Sequence, residues 1–184
     1  MAKDDFIKMS TPKAIPACYQ QTPIGELILY HNFRKRFQVY QQAQLLIGMC
    51  MDYRKQLRIP GNFAFIIRAG GANLRMSEFK VSYAIGVGGV SHIALIGHNH
   101  CGMVNIASRK QWFIDGLVER AGWKPEAARA HFDEFVQMFE IENEVQFILS
   151  EVKRLRKRYP KVTVAPMLYT VEDNKLHLLN EAAA

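Results

Sequence analysis

Two short polar runs, each preceded by an apolar segment, restrict the possible folds of this chain more than any other feature. Residues 45–49 are apolar and lead into the run at residues 50–54, and residues 93–97 are apolar and lead into the run at residues 98–102. If both apolar segments are parallel strands, the two runs emerge at the carboxyl edge of one sheet. Open α/β folds place their ligand and active sites at this edge.

Metal-binding side chains are concentrated in these two runs. Cys50 opens the first run, and His98 and Cys101 lie in the second. Two thiolates and one imidazole suit zinc, and three protein ligands leave the fourth tetrahedral position open. Structural zinc sites are usually closed by four protein ligands, so this set predicts a catalytic zinc site.

Asp52 and Arg54 follow Cys50 at intervals of two residues. At the end of a strand, Asp52 can turn back toward the open position of the metal and accept a hydrogen bond there. Arg54 shares that direction and can hold Asp52 ionised through a charge-assisted pair. We therefore predict a catalytic pair; the alternative is a surface ion pair of little energetic value.

The pattern of both runs resembles the metal site of the β-class carbonic anhydrases. Cys-x-Asp-x-Arg at residues 50–54, followed by His-x-x-Cys-Gly at residues 98–102, is similar to the pattern of the compact members of that family. The likeness extends over roughly residues 44–104 and includes the turn at residues 68–71. It implies a zinc lyase that reversibly hydrates carbon dioxide to bicarbonate, with Cys50, His98 and Cys101 as ligands.

The resemblance also implies features of assembly and of the site. It implies a four-stranded parallel core with an added edge strand, assembled as a homodimer or a dimer of dimers. An amino-terminal arm would reach over the partner subunit. If the Asp52–Arg54 pair breaks, the family likeness allows the carboxylate to become the fourth zinc ligand.

Two departures from the family pattern lie near the expected pocket. The arginine-asparagine-alanine-glycine turn of relatives reads Arg68-Ala69-Gly70-Gly71 here, so an amide side chain is missing or displaced to Asn73. His100 stands before the second cysteine, where relatives commonly have an acidic or small polar residue. His100 is open to three interpretations: an alternative ligand, a proton shuttle near neutral pH, or a loop histidine.

Two other functions are compatible with the same residues. A carbonyl sulfide or carbon disulfide hydrolase would use the same zinc site, because the pocket walls decide the substrate. A catalytically silent zinc-binding regulator is suggested by the altered turn and by the basic run at residues 153–158. That run sits where cations favour a helix end, and no RNA-binding motif accompanies it. We therefore do not predict a nucleic-acid partner.

The spacing of apolar residues predicts an α/β fold. Strands are expected at residues 44–50, 62–68, 92–97 and 163–169, with a short edge strand at 176–179. Helices are expected at residues 25–42, 77–87, 103–122 and 124–159, the last broken near 140–143. Strands and helices that alternate in this order form a parallel sheet flanked by helices. The aromatic stripe at residues 132–139 is expected in the core or at a subunit interface.

Composition and length agree with a single domain. The 184 residues are 49% hydrophobic and 22% charged, with a net charge of +7. Three Thr-Pro or Ile-Pro pairs predict an extended arm at residues 1–25, followed by one zinc-binding domain at residues 26–184. The start lacks the pattern of a signal peptide, no apolar run suggests a membrane partner, and a cytoplasmic protein is expected. Of the three cysteines, only Cys18 is expected to be an incidental thiol.

Overall fold

A computed structural model of the chain describes residues 5–183. Its strands are β1 (Phe6–Ile7), β2 (Leu45–Met49), β3 (Ala64–Arg68), β4 (His92–His98), β5 (Thr163–Thr170) and β6 (Lys175–Leu179). Its α-helices are α1 (Ala17–Gln20), α2 (Pro23–Phe33), α3 (Glu78–Gly86), α4 (Lys110–Ala121), α5 (Pro125–Phe139) and α6 (Glu144–Arg158). The predicted break between the last two helices is confirmed: Asn143 caps α6 by accepting hydrogen bonds from two backbone amides.

All six strands form one sheet in the order β1-β6-β5-β4-β2-β3. The four strands β3, β2, β4 and β5 are parallel, and β6 and β1 are added antiparallel. The predicted α/β class and parallel core are confirmed. The strand expected at the edge is β6, but β1 pairs with it and takes the edge position.

Helices cover both faces of the sheet, and β2 shows why. Every residue of β2 is buried, as expected of a central parallel strand. Leu45, Ile47 and Met49 pack in the apolar cluster that includes α2, whereas Leu46 packs in the opposite cluster with residues of α3 and α6. This two-sided burial fixes the position of the strand end that carries Cys50.

The amino-terminal segment is not the extended arm predicted for residues 1–25. From residue 5 onward it packs on its own chain: β1 joins β6, and Met9 and Ile15 are buried. The Met9 amide donates a hydrogen bond to His177 Nδ1 over 3.1 Å. The predicted boundary falls inside α2, because Pro23 starts that helix after the Thr22 cap, a position that proline favours. Residues 1–4 lie outside the described residues.

The basic run near the end of α6 is engaged in internal ion pairs. Arg154 binds both Glu151 and Glu78, Arg158 binds Glu78, and Arg156 binds Glu181. Glu151 is fully buried, and a buried carboxylate requires such partners. These arginines connect α6 to α3 and to the carboxyl-terminal segment. Within residues 5–183, no helix is long and apolar enough to cross a bilayer.

Candidate metal centre

Cys50, His98 and Cys101 come together at the carboxyl ends of the neighbouring strands β2 and β4. All three are buried, and one ligand atom from each lies within 4.8 Å of the others. The two Sγ atoms are 3.9 Å apart. Two thiolates bound at about 2.3 Å to a tetrahedral zinc would be separated by about 3.8 Å. The three side chains are therefore positioned to bind zinc.

The hydrogen bonds of His98 prepare it as a metal ligand. Its Nδ1 lies 2.9 Å from the carbonyl oxygen of Asn99, and because a carbonyl only accepts, Nδ1 carries the proton. Nε2 is then left with a lone pair; it is buried and has no hydrogen-bond partner among the described residues. A buried imidazole nitrogen with its partner nitrogen bonded to a carbonyl is the usual state of a zinc-binding histidine.

The two thiols resist ionising together. The hydrogen bond between them lowers the pKa of Cys50, and the same bond, together with burial, raises the pKa of Cys101. Both cysteines must be deprotonated to bind a metal, and a divalent cation stabilises both thiolates. The chemistry of the donor set therefore fits zinc.

Asp52 is held beside the triad by Arg54. The guanidinium donates to Oδ2 from Nη2 over 2.7 Å and to Oδ1 from Nε over 3.0 Å, and the Arg54 amide donates to Oδ1 over 2.9 Å. This pairing keeps the pKa of Asp52 well below its usual range. Asp52 Oδ2 lies 4.0 Å from His98 Nε2, so the ionised carboxylate stands next to the atoms that would hold the metal.

His100 is not part of the triad. Its backbone has a φ of 56°, and its Nε2 lies 2.9 Å from a carboxylate oxygen of Glu172. Asn99 donates to both oxygens of the same carboxylate. The His100 carbonyl accepts a 2.8 Å hydrogen bond from Arg54 Nη2. The backbone of His100 thus contacts the Asp52–Arg54 pair, and its exposed side chain is not grouped with Cys50, His98 and Cys101.

The altered turn at residues 68–71 is hydrogen-bonded to the backbone of the segment that begins at Cys50. The Arg68 guanidinium donates to the carbonyls of Cys50, over 3.4 Å, and Lys55, over 3.2 Å. Asn73, where the missing amide was expected, is buried and donates to the carbonyl of Met138 over 2.7 Å. Its amide therefore connects the turn to α5.

An apolar cavity of about 290 Å³ is lined by Met51, which follows Cys50 directly, and by Met103, two residues after Cys101. Met51, Gly70 and Met103 form the wall nearest the two ligand runs, and α4 and α5 form the other wall. The stripe predicted as core or interface lies here: Phe132 packs edge-on against Phe113 at 5.2 Å and is buried. The sequence patterns did not reveal this cavity, because its lining comes from five separate segments of the chain.

Lys55 is the second feature that the sequence patterns did not reveal. It follows Arg54 directly and would ordinarily be expected at the surface. In the structure it is 1% exposed, and its charge interacts with those of Cys50, Asp52 and Cys101. The only signal in the sequence is its place beside the metal-binding run.

The chain is similar to proteins of known family and known structure. A family model described as carbonic anhydrase matches residues 49–176. A search of curated proteins found no match. The chain resembles the solved β-carbonic anhydrase isoform I of Trichomonas vaginalis, with a TM-score of 0.60, 18% identity and coverage of 91% of this chain and 100% of that one.

Two further solved structures share the fold. A carbonic anhydrase from Glaciozyma antarctica has a TM-score of 0.59 and 18% identity, over 90% of this chain and 99% of that one. A carbon disulfide hydrolase in its apo form has a TM-score of 0.52 and 20% identity, over 76% and 80%. Because the family model covers more than half of the chain and every residue of the triad, the chain belongs to the β-carbonic anhydrases, zinc lyases that interconvert carbon dioxide and bicarbonate.

Proposed function

We propose that Cys50, His98 and Cys101 hold the catalytic zinc and that the chain uses it to hydrate carbon dioxide reversibly. The observation that carries this proposal is the buried Nε2 of His98, which has no hydrogen-bond partner among the described residues. His98 is grouped within 4.8 Å of two thiols that are spaced for a tetrahedral ion. When bound, zinc supplies a Lewis acid that makes water nucleophilic near neutral pH. The residues of the chain hold the ion, orient the reacting water and exclude bulk solvent.

Asp52 is proposed to orient the attacking water. An ionised carboxylate only accepts hydrogen bonds, so Asp52 fixes the direction of the water's hydrogen and thereby of its lone pair. Arg54 keeps the carboxylate charged and anchors it to the His100 carbonyl. With its oxygens held by Arg54, Asp52 stays beside the triad, and the fourth ligand position is left to water.

The apolar cavity supports an apolar substrate. Carbon dioxide has no net charge and gains little from hydrogen bonds, so a wall of methionine and phenylalanine side chains admits it while excluding bulk water. Gly70 also lines the cavity, and a Cβ atom added there would lie 2.9 Å from the sulfur of Met103. Bicarbonate is charged, so we expect it to leave the apolar cavity for solvent.

Stopped-flow hydration of carbon dioxide tests the proposed function directly. Protein of measured zinc content should accelerate hydration in proportion to its bound zinc. Carbonyl sulfide and carbon disulfide, assayed on the same preparation, are expected to be turned over more slowly. Zinc-loaded protein that hydrolyses either sulfur compound but leaves carbon dioxide at the uncatalysed rate would show that the site serves the alternative hydrolase. Inactivity toward all three would identify a silent zinc protein.

A homodimer is proposed on the basis of an apolar face at one edge of the sheet. β3 is the edge strand on that side, and unpaired edge strands readily pair with another chain. Ile66 of β3 is 47% exposed, and Phe79 and Tyr83 of α3 are 83% and 51% exposed. Together with Phe65 they line one groove. A second copy of the chain would cover this face, whereas the stripe on α5 is already in contact with α4.

Charge placed on this face is expected to separate the subunits. The wild type should sediment at twice the 21.1 kDa of one chain, or larger. Phe79→Glu should shift the protein toward the monomer, because burying an unpaired carboxylate at an interface is unfavourable. Val39→Glu, at a residue 88% exposed in a loop, is the matched control and should leave assembly unchanged. A wild type that remains monomeric at micromolar concentration would refute the dimer.

A cytoplasmic location is proposed from the state of the cysteines. Zinc binding requires that neither Cys50 nor Cys101 is tied up in a disulfide, and neither forms one in the structure. The cytosol keeps thiols reduced, whereas oxidising compartments favour disulfides. Fractionation of cells that express the chain with its native termini would test the location.

A further inference from the structure

Lys55 presents a buried positive charge beside the metal centre. The residue is 1% exposed, and its Nζ has no hydrogen-bond acceptor among the described residues. An ammonium group removed from water destabilises the fold unless charges or hydrogen bonds compensate it. A lysine at a position where its burial destabilises the fold suggests a role other than packing.

The charges that partly compensate Lys55 belong to the metal centre. Burial lowers the pKa of Lys55, and the negative charges of Cys50, Asp52 and Cys101 offset only part of that lowering. Arg68 binds the backbone carbonyls of both Cys50 and Lys55. The loop that carries the ammonium is therefore fixed to the same strand end as the first ligand.

The ammonium group of Lys55 changes the net charge around the metal centre. The two thiolates alone cancel the charge of a zinc ion, which leaves a neutral centre that attracts anions weakly. Asp52 adds a negative charge that Arg54 balances. Glu144 brings a second carboxylate, which accepts a 3.2 Å hydrogen bond from the Cys101 amide, and Arg68, which donates to the Cys50 carbonyl, brings the opposite charge. Lys55 is then the buried cation without a matching anion in this set, and in a low-dielectric interior its field acts on the centre over several ångströms.

We propose that Lys55 is a positioning residue that offsets one thiolate charge and so makes the centre bind small monovalent anions, bicarbonate among them. It acts through the thiolates and the metal rather than by touching the anion. The inference rests on the proposed function, because it takes Cys50, His98 and Cys101 as the zinc ligands. The ligand class it assigns is the compact inorganic anion.

Lys55→Met tests the proposal, since methionine is similar in length and carries no charge. Wild type and variant are loaded with cobalt(II), and thiocyanate is titrated while the visible absorption of the metal is followed. The variant should bind thiocyanate about tenfold more weakly or worse, as expected for the loss of one charge at close range. The zinc-loaded variant should also require more urea to unfold, because an unpaired buried ammonium has been removed. A purely structural lysine would not produce opposite changes in these two measurements.

Lys153→Met is the matched control, because Lys153 is exposed on α6; it should alter neither measurement. Unchanged thiocyanate affinity in a fully loaded Lys55→Met protein would overturn the proposal. A variant that unfolds more easily, or does not fold, would also overturn it, because the lysine would then support the fold. If wild type binds cobalt and thiocyanate but does not hydrate carbon dioxide, the proposed function fails while the comparison at Lys55 stands. A wild type that takes up no metal refutes both.

Discussion

Cys50→Ser, His98→Ala and Cys101→Ser should each remove the metal and reduce carbon dioxide hydration to the uncatalysed rate. Each change leaves two protein ligands, and the remaining pair is too weak a site to retain zinc at micromolar protein. Metal analysis by mass spectrometry should give about one zinc per wild-type chain and far less for each variant. Far-ultraviolet circular dichroism will show whether the sheet is retained, since the ligands lie at its edge rather than in its apolar clusters.

His100→Ala is the matched control for the metal experiment, because His100 lies two residues from His98 and is exposed. It should retain full zinc. Its side chain contacts Glu172 and is not grouped with the triad, so its loss should leave the three ligands in place. Full occupancy in His98→Ala together with loss of zinc in His100→Ala would assign the ligand to His100 and refute the triad.

Asp52→Asn should retain the zinc and lose about 100-fold or more of the hydration rate. An amide can donate a hydrogen bond where the carboxylate accepts, so the water would be held with its lone pair misdirected. Stopped-flow kinetics on zinc-matched protein measures the loss. Asp133→Asn removes a carboxylate from a surface pair with Lys110 and serves as control, with no expected change. Hydration at the wild-type rate by Asp52→Asn would reduce Asp52 to a structural ion-pair partner.

Arg54→Ala should be inactive for a different reason. Without the guanidinium, Asp52 is free to turn onto the metal, and the His100 carbonyl loses its partner. The cobalt-substituted forms should differ: the Asp52→Asn spectrum should retain the response to added anions, and the Arg54→Ala spectrum should lose it. Identical spectra for the two variants would argue against the restraining role of Arg54.

The sequence predicted the metal site well because its geometry depends on strand ends. Cys50 and His98 each follow an apolar run. Parallel strands bring their carboxyl ends to one edge of the sheet, and this does not depend on the conformation of the loops. Arg68 and Asn73 were harder to interpret, since their partners are backbone carbonyls in distant segments. Burial of Lys55 could not be predicted, because it depends on how the loop after β2 folds over the sheet.

The errors in the fold have equally local causes. Thr22-Pro23 is compatible with an extended chain and with the start of a helix. Packing of the preceding segment selects the helix: Met9 and Ile15 are buried in the same cluster as Ile24 of α2. The helix expected to reach residue 42 ends at Phe33, where Arg34 adopts a φ of 53°.

The separation of the triad from the cavity wall has a consequence for evolution and engineering. The zinc ligands depend on β2 and β4, whereas most of the cavity wall belongs to α4 and α5, which pack chiefly on each other. Substitutions at positions such as Phe113 or Phe135 should therefore reshape the space for substrate without displacing the ligands. Descendants of such a chain could acquire new small-molecule selectivity through one helical hairpin while inheriting the reactive centre intact.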